Sequence, residues 1–178
     1  DEVRKLEEDV ERLRREVEEE NRRLEEEVER LRKEVKERNR ELNERVKTLI
    51  ETAKRLKEAG SSEDVLKKLE ETVRKLNEDH KKLTKELEDR ARALLEDHRR
   101  KLEELKERMD RLREDVRAKR LPEEMLRELE KRLKRLADET RRSNKELKER
   151  LERLKDESRD NNRELKERAD RLLEKLKE

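Results

Sequence analysis

Two histidines and a few Asn, Ser and Thr residues have the side-chain types and the spacing that could support chemistry in this sequence. His80 and His98 lie eighteen residues apart, each where the surrounding pattern otherwise has an aliphatic residue. A histidine can act as a general base, bind a metal ion or gain a charge near its ordinary pKa of about 6.5. Asn, Ser and Thr supply hydrogen-bond donors and acceptors. Four hypotheses follow: a metal site, a nucleophile–base pair, a pH-responsive core and a structural hydrogen-bond network.

The composition excludes several classes of function. Of 178 residues, 62% are charged and 27% are hydrophobic, and the chain has no aromatic residue, no Cys, one Gly and one Pro. It therefore has no thiol nucleophile, no Cys-based zinc site and no aromatic platform on which a base could stack. The net charge of +2 provides no field for nucleic acid or an anionic membrane. No apolar run approaches the roughly 18 residues of a membrane span, so we expect neither of these partners.

The aliphatic residues follow a repeat of eighteen residues, in steps of three and four. Equivalent leucines in the three segments are Leu6, Leu24 and Leu42; Leu69, Leu87 and Leu105; and Leu129, Leu147 and Leu165. Eighteen residues over five turns is about 3.6 residues per turn, the period of a straight α-helix, whereas a heptad repeat averages about 3.5 and imposes a supercoil. Each segment therefore predicts a long, nearly straight helix with a narrow aliphatic stripe.

Two breaks divide this pattern into three helices. Gly60 predicts a helix stop followed by a Ser N-cap in Ser61-Ser62, and Pro122 predicts the first position of the third helix. The predicted helices span residues 2–59, 62–119 and 122–178, with loops at 60–61 and 120–121. Loops this short force neighbouring helices to lie antiparallel. The predicted fold is an all-α, single-chain, antiparallel up-down-up three-helix bundle, with residues 1–178 in one domain.

The narrow stripe also predicts a monomer. Five inward positions in every eighteen residues are enough to fill the core of three helices, and no second apolar face is visible for a larger assembly. A domain-swapped or oligomeric form of the same bundle stays open. No cofactor is expected.

Polar residues occupy stripe positions in all three helices, and antiparallel packing predicts where they meet. Facing residues should have numbers that add to about 121 for the first helix pair and about 241 for the second, and the polar positions come within two residues of these values. One predicted layer contains Asn21, His98, Thr140, Ser143 and Asn144. The other contains Asn39, His80, Thr84, Ser158, Asn161 and Asn162. A connected polar layer would specify the helix register, because a slip would place Asn or His against Leu.

The catalytic and metal hypotheses have weaker support. His80 and His98 are too far apart to share an ion, and the Glu-x-x-His pattern of di-metal bundles is absent because Asn77 and Leu95 stand three residues before them. The couples Ser158/His80 and Thr140/His98 have a nucleophile and a base, but no buried carboxylate, oxyanion hole or substrate cleft is predicted beside them. We therefore predict no catalytic, cofactor-binding or metal-ligating residue and no enzymatic activity. A pH-responsive core stays open, because buried neutral histidines must gain a charge at low pH.

The regularity of the chain points to a known class of protein. The segments 21–35 and 144–158 are near-identical blocks, the turn reads Gly60-Ser61-Ser62-Glu63-Asp64, and the surface is built almost entirely from Glu, Lys and Arg. Over its whole length the chain resembles de novo designed, parametrically generated helical bundles with buried hydrogen-bond networks. The resemblance implies a very stable structural scaffold with no natural substrate, soluble in the cytoplasm of an expression host.

A rival interpretation is a natural coiled-coil interaction module or rod spacer, in the manner of a spectrin-like three-helix repeat, or a subunit that pairs with another chain. The absence of aromatic residues and the unsupercoiled period argue against the natural module. Such a module should also carry an apolar or single-sign patch outside the stripes, and none is visible in the sequence.

Overall fold

Three long helices account for nearly all of the chain. The structure, a computed structural model, describes residues 2–60 and 63–177. The helices are α1 (Glu2–Glu58), α2 (Glu63–Ala118) and α3 (Glu123–Lys177). They form the predicted antiparallel up-down-up three-helix bundle, and within the described residues there is no strand. Each described helix end lies within one residue of its predicted position; Ser61, Ser62 and the chain ends Asp1 and Glu178 lie outside the described residues.

Gly60 ends α1 as the sequence predicts. Its backbone φ is 71°, in the left-handed region that glycine adopts without steric cost and that commonly terminates helices. The last carbonyls find partners in the turn: the Ala59 N–H donates to the Arg55 carbonyl at 3.1 Å and the Gly60 N–H to the Lys57 carbonyl at 3.4 Å. The predicted Ser N-cap of α2 falls on Ser61-Ser62, outside the described residues.

Pro122 takes a position one residue earlier than predicted. The first intrahelical hydrogen bond of α3 runs from the Leu126 N–H to the Pro122 carbonyl at 3.0 Å, and the helix begins at Glu123. A residue whose carbonyl accepts the first bond is the N-cap, so Pro122 is the cap and not the first helical residue. Its missing N–H is harmless there, because no helical partner for it exists.

The chain divides into two compact units, and each takes part of every helix. Unit 1 comprises Asp1–Glu29 and Arg92–Leu151, and unit 2 comprises Arg30–Ala91 and Glu152–Glu178. The prediction that residues 1–178 behave as one domain stays a prediction.

The core of unit 1 consists of stripe residues from all three helices. Its buried cluster contains Leu6, Val10, Leu13, Val17, Leu105, Met109, Val116, Leu129, Leu133 and Leu136. The spacing of three and four residues within each helix is the spacing of one helix face. Charged pairs border this core: Glu16 pairs with Arg108 between α1 and α2, and Arg117 lies 3.6 Å from Glu130 between α2 and α3.

Unit 2 repeats this arrangement with its own aliphatic cluster, which contains Leu42, Val46, Leu49, Ala53, Leu69, Val73, Leu76, Leu165 and Ala169. Ion pairs along the α1–α2 edge show the antiparallel register: Glu34 pairs with Arg90, Arg38 with Glu86 and Arg45 with Asp79. The α2 number falls by one for each step along α1. On the α2–α3 edge Glu88 pairs with Arg159 and Glu70 with Lys177, again in antiparallel order.

Across residues 2–60 and 63–177, none of the helices has an apolar stretch long enough to cross a membrane.

Candidate functional site: the buried polar residues

Both histidines are enclosed by the stripes of their units. The side chains of His80 and His98 are 4% and 0% exposed, because both positions lie at the centre of the α2 stripe at about 100° per residue. The other buried polar residues that the structure describes are Glu20 and Ser158, each 6% exposed. Glu20 was not among the predicted site residues.

Glu20 of α1 faces His98 in unit 1. Its Oε1 lies 3.6 Å from His98 Nδ1, somewhat longer than a direct hydrogen bond. The carboxylate is also held by Arg23, whose guanidinium donates to both carboxylate oxygens at 2.8 and 3.2 Å. Arg23 also reaches Glu27 at 3.2 Å. The sequence-based prediction that no buried carboxylate accompanies a histidine is therefore wrong for His98.

These groups shift one another's ionisation. Burial by itself raises the pKa of Glu20, but the hydrogen bond and charge of Arg23, with a smaller contribution from His98, leave the pKa below its ordinary value. Burial lowers the pKa of His98; the Glu20 carboxylate opposes this shift and Arg23 adds to it, and the net pKa is below the ordinary value. Near neutral pH the pair is thus an ionised Glu20 beside a neutral His98.

The remaining members predicted for the first layer are not joined to His98 by hydrogen bonds within the described chain. Asn21 is half-buried, with no side-chain hydrogen bond to a described residue. Thr140 donates its hydroxyl to the Ala137 carbonyl of its own helix at 2.8 Å, and Ser143 is half-buried. The Asn144 Oδ1 atom is buried and has no hydrogen-bond partner among the described residues. Unit 1 therefore holds a charged Arg23–Glu20–His98 group where the sequence predicted a neutral network.

Unit 2 connects α2 and α3 through part of its predicted layer. The Asn162 amide donates to the Thr84 hydroxyl and, at 3.4 Å, to the His80 backbone carbonyl. Thr84 in turn donates to the same His80 carbonyl at 2.9 Å, a back-bond that is common for Thr within helices. The structure thus brings together Asn162, Thr84 and the backbone, but not the side chain, of His80.

Asn39 and Ser158 meet Asn162 at a small cavity in unit 2. The cavity measures about 20 Å³, and its lining includes these three polar side chains together with aliphatic residues and three charged side chains. That volume admits about one water molecule. The next residue along the chain from Asn162 towards the N-terminus is Asn161. Its Nδ2 atom is buried and makes no hydrogen bond to a described residue.

The imidazole of His80 has no hydrogen bond on either ring nitrogen within the described part of the chain. Burial lowers its pKa, the positive charge of Arg45 lowers it further, and Asp79 raises it by a smaller amount. Neither layer therefore has the fully connected form that the sequence led us to expect. Each unpaired buried polar atom costs about 1–3 kcal/mol of stability.

The chemical capacity of these residues is limited by their enclosure. Ser158 and Thr140 make no hydrogen bond with His80 or His98, the histidines with which the nucleophile–base hypothesis would pair them, as far as the described residues show. Among residues 2–60 and 63–177, no three His, Cys, Asp or Glu side chains converge in a way that could hold a metal ion.

The helical pattern alone makes Glu20 as good a candidate for the inward position as Asn21. At about 100° per residue, Glu20 and Asn21 lie equally far, about 50°, on either side of the α1 stripe centre. Asn21 was predicted to face inward because the eighteen-residue repeat places it in register with Val3 and Asn39. The partner across the core decides instead, because a histidine and an arginine can compensate a buried carboxylate.

Comparisons with known proteins support the fold. No family model matches the chain, and no curated protein matches it. A similar solved structure is described as a "Computationally designed three helix bundle"; the two chains share 20% sequence identity with a TM-score of 0.57, over 98% of this chain and 90% of the other. At that level of identity the likeness establishes a shared three-helix fold.

The lowered pKa values predict that acid weakens the fold. Between the unfolded histidine pKa of about 6.5 and the lower folded values, the unfolded chain binds more protons, so the free energy of unfolding decreases as the pH falls through that window. Urea denaturation followed by circular dichroism at pH 7.5 and 5.5 measures this change. The double variant His80→Leu/His98→Leu should lose most of the pH dependence, and an unchanged dependence would mean that other groups cause it.

Removing the charge of Glu20 should lower the pKa of His98 further. In Glu20→Gln the carboxylate that raises this pKa is gone, whereas burial and Arg23 still lower it. NMR titration of the His98 ring resonances gives the shift, with His80 in the other unit as an internal reference. Glu27→Gln is the matched control, because Glu27 also pairs with Arg23 but does not face His98. Equal pKa values for His98 in the wild type and Glu20→Gln would refute the Glu20–His98 interaction.

Proposed function

We propose that this chain is a designed structural scaffold: one three-helix domain without enzymatic activity, in which buried polar residues specify how the helices align. The observation that carries this proposal is the enclosure of the histidines, which are 4% and 0% exposed. A general base must reach the proton that it removes from a substrate. Side chains sealed in this way serve packing and register.

The designed origin rests on two supports. The chain has the near-identical blocks and the Glu/Lys/Arg surface of parametric designs, and its fold is similar to that of a designed bundle. An idealised repeat with one Gly and one Pro in 178 residues is typical of backbones built from regular helices and minimal turns.

The distribution of apolar surface supports a monomeric state. Among the described residues, Met125 at 43% is the exposed large hydrophobic side chain, and a single exposed apolar residue does not make an association surface. No partner chain is required to cover the stripes, because each unit buries its own.

The polar residues would give the bundle its specificity at the expense of stability. Asn162 spans from α3 to α2, and its two acceptors lie at one level of α2. A shift of register would place its amide against a leucine, which leaves the amide unpaired in an apolar core. The unpaired imidazole of His80 should lower the free energy of unfolding relative to leucine, because leucine at that position has no polar atoms that need a hydrogen-bond partner.

A pH-responsive bundle is a second candidate function. It is favoured by one observation, that burial lowers the pKa of both histidines. Protonation of two enclosed imidazoles would open the bundle only if their combined cost exceeded the stability of the aliphatic core.

Replacing the polar residues of unit 2 tests the scaffold function. The triple variant Asn39→Leu/His80→Leu/Asn162→Leu should unfold at the same or a higher urea concentration than the wild type, because it removes unpaired buried polar atoms. Sedimentation equilibrium should give a single 22.1 kDa species for the wild type. The triple variant should form additional oligomers, since the register is no longer specified.

Leu42→Asn is the matched control, since it places an asparagine one helical turn from Asn39 without a predicted polar partner. It should lose about 2–4 kcal/mol of unfolding free energy. A loss of that size in the triple variant would show that the polar residues stabilise the fold. A wild-type mass of twice 22.1 kDa would contradict the monomeric scaffold.

A further inference from the structure

The charged side chains that line a groove between α1 and α3 in unit 2 are all positive. Its lining includes Lys54, Lys57, Arg168, Arg171 and Lys175, and it includes no acidic side chain among the described residues; we call it the basic groove. The chain as a whole carries nearly equal numbers of the two signs. The sequence-based expectation of no single-sign patch outside the stripes is therefore wrong here.

The floor of the basic groove is aliphatic. Ile50 of α1 and Leu172 and Leu176 of α3 line it, and all three side chains are only partly buried. The groove encloses about 370 Å³, near the lower end of the roughly 300–1,000 Å³ of small-molecule sites. Cations at the rim and an apolar floor together match a ligand with an anionic head and an aliphatic tail.

The cations of the basic groove are poorly compensated. Arg171 lies 3.8 Å from the exposed Glu167 on its own helix, and the other four cations make no ion pair with any described residue. By contrast, the other two edges of unit 2 carry opposite charges that pair across helices, as in Arg38 with Glu86 and Arg159 with Glu88. The α1–α3 edge therefore has like charges facing one another, which an anion would relieve.

The chain direction explains only part of the accumulation of cations there. α1 and α3 both run antiparallel to α2 and hence parallel to each other, and each has basic residues in its last turn. Such residues complement the negative end of a helix dipole, but two helix ends contribute only about −0.5 charge each. Lys54, Arg168 and Arg171 lie before those last turns, so dipole compensation does not account for the whole groove.

Two other grooves in the described chain mix the two signs. The α1–α2 groove of unit 2 has Glu41 and Glu44 beside Arg45, and the α2–α3 groove of unit 1 has Glu103 among its cations. The combination of uniform charge and aliphatic floor distinguishes the basic groove from these.

We propose that the basic groove binds a single-chain aliphatic anion. The carboxylate or sulfate head contacts the Lys and Arg side chains at the rim, and the tail lies along Ile50, Leu172 and Leu176. A rim of cations above a floor of three aliphatic side chains favours this occupant, because its head and its tail match the two features separately.

Titration with sodium laurate below its micelle concentration tests the proposal on the full chain. Amide shifts in ¹H–¹⁵N NMR spectra should saturate and concentrate in residues 50–57 and 168–176. Dodecyl maltoside supplies the same tail without charge, and inorganic sulfate supplies charge without a tail. Each should bind at least about tenfold more weakly than laurate, because each lacks one of the two contributions.

Charge reversal provides the matched variants. Lys57→Glu/Lys175→Glu changes one rim cation on each helix and should weaken laurate binding about tenfold. Lys47→Glu/Lys166→Glu makes the same change of charge at exposed positions of the same helices outside the groove, and should leave the affinity within about twofold. Circular dichroism verifies that both variants keep their helices. Raising the salt from about 0.01 to about 0.15 M should weaken binding to the wild type, because the Debye length falls from about 30 to about 8 Å.

Several results would overturn the proposal. Equal affinity for dodecyl maltoside would show that charge is not recognised, and equal affinity for sulfate would show that the tail is not. Equal weakening in the two double variants would mean that laurate responds only to net charge. An acidic amphipathic peptide that displaces laurate from residues 50–57 and 168–176 at lower concentration would identify a helix as the occupant. A dimer that Lys57→Glu/Lys175→Glu dissociates would identify a second copy of the chain.

Discussion

The burial of one narrow aliphatic stripe on each helix is the interaction on which the rest of the structure depends. Stripe residues such as Leu13, Val46 and Leu133 have 0% of their surface exposed, and burial of each such side chain contributes about 1.5–3 kcal/mol. The exposed ion pairs that border the stripes contribute about 0–1 kcal/mol each. The charges that make up 62% of the chain therefore favour helix formation and solubility, whereas the stripes determine which faces meet.

Burying a polar group within an aliphatic stripe costs free energy, and the two units compensate this cost differently. In unit 1, Arg23 at the surface holds the buried Glu20 carboxylate that faces His98. In unit 2, Asn162 joins α3 to α2, and the imidazole of His80 makes no hydrogen bond to a described residue. The first arrangement couples the core to charge and the second to helix register. In both units a histidine ring is buried, and burial disfavours its protonated form.

The helices could be predicted from the sequence because a period of 3.6 residues, one Gly and one Pro leave few alternatives. The details of the polar layers could not. Glu20 and Asn21 are equivalent by helix angle, and only the partner across the core distinguishes them. Thr84 and Thr140 donate to carbonyls of their own helix. Such local hydrogen bonds cannot be predicted from which residues face one another across helices. The sequence did not predict the basic groove, because no turn joins α1 to α3 and fixes which of their residues face one another.

The dependence of unfolding on salt tests most directly whether the stripes or the charges hold this protein together. Urea denaturation of the wild-type chain, followed by circular dichroism, would be compared at about 0.01 M and about 1 M sodium chloride, where the Debye lengths are about 30 and 3 Å. If aliphatic burial dominates, the urea midpoint should stay the same or rise, because screening weakens both attraction and repulsion among the surface charges and leaves the core intact. A large fall of the midpoint at high salt would show that the ion pairs carry the stability, and would contradict the dominance of the stripes.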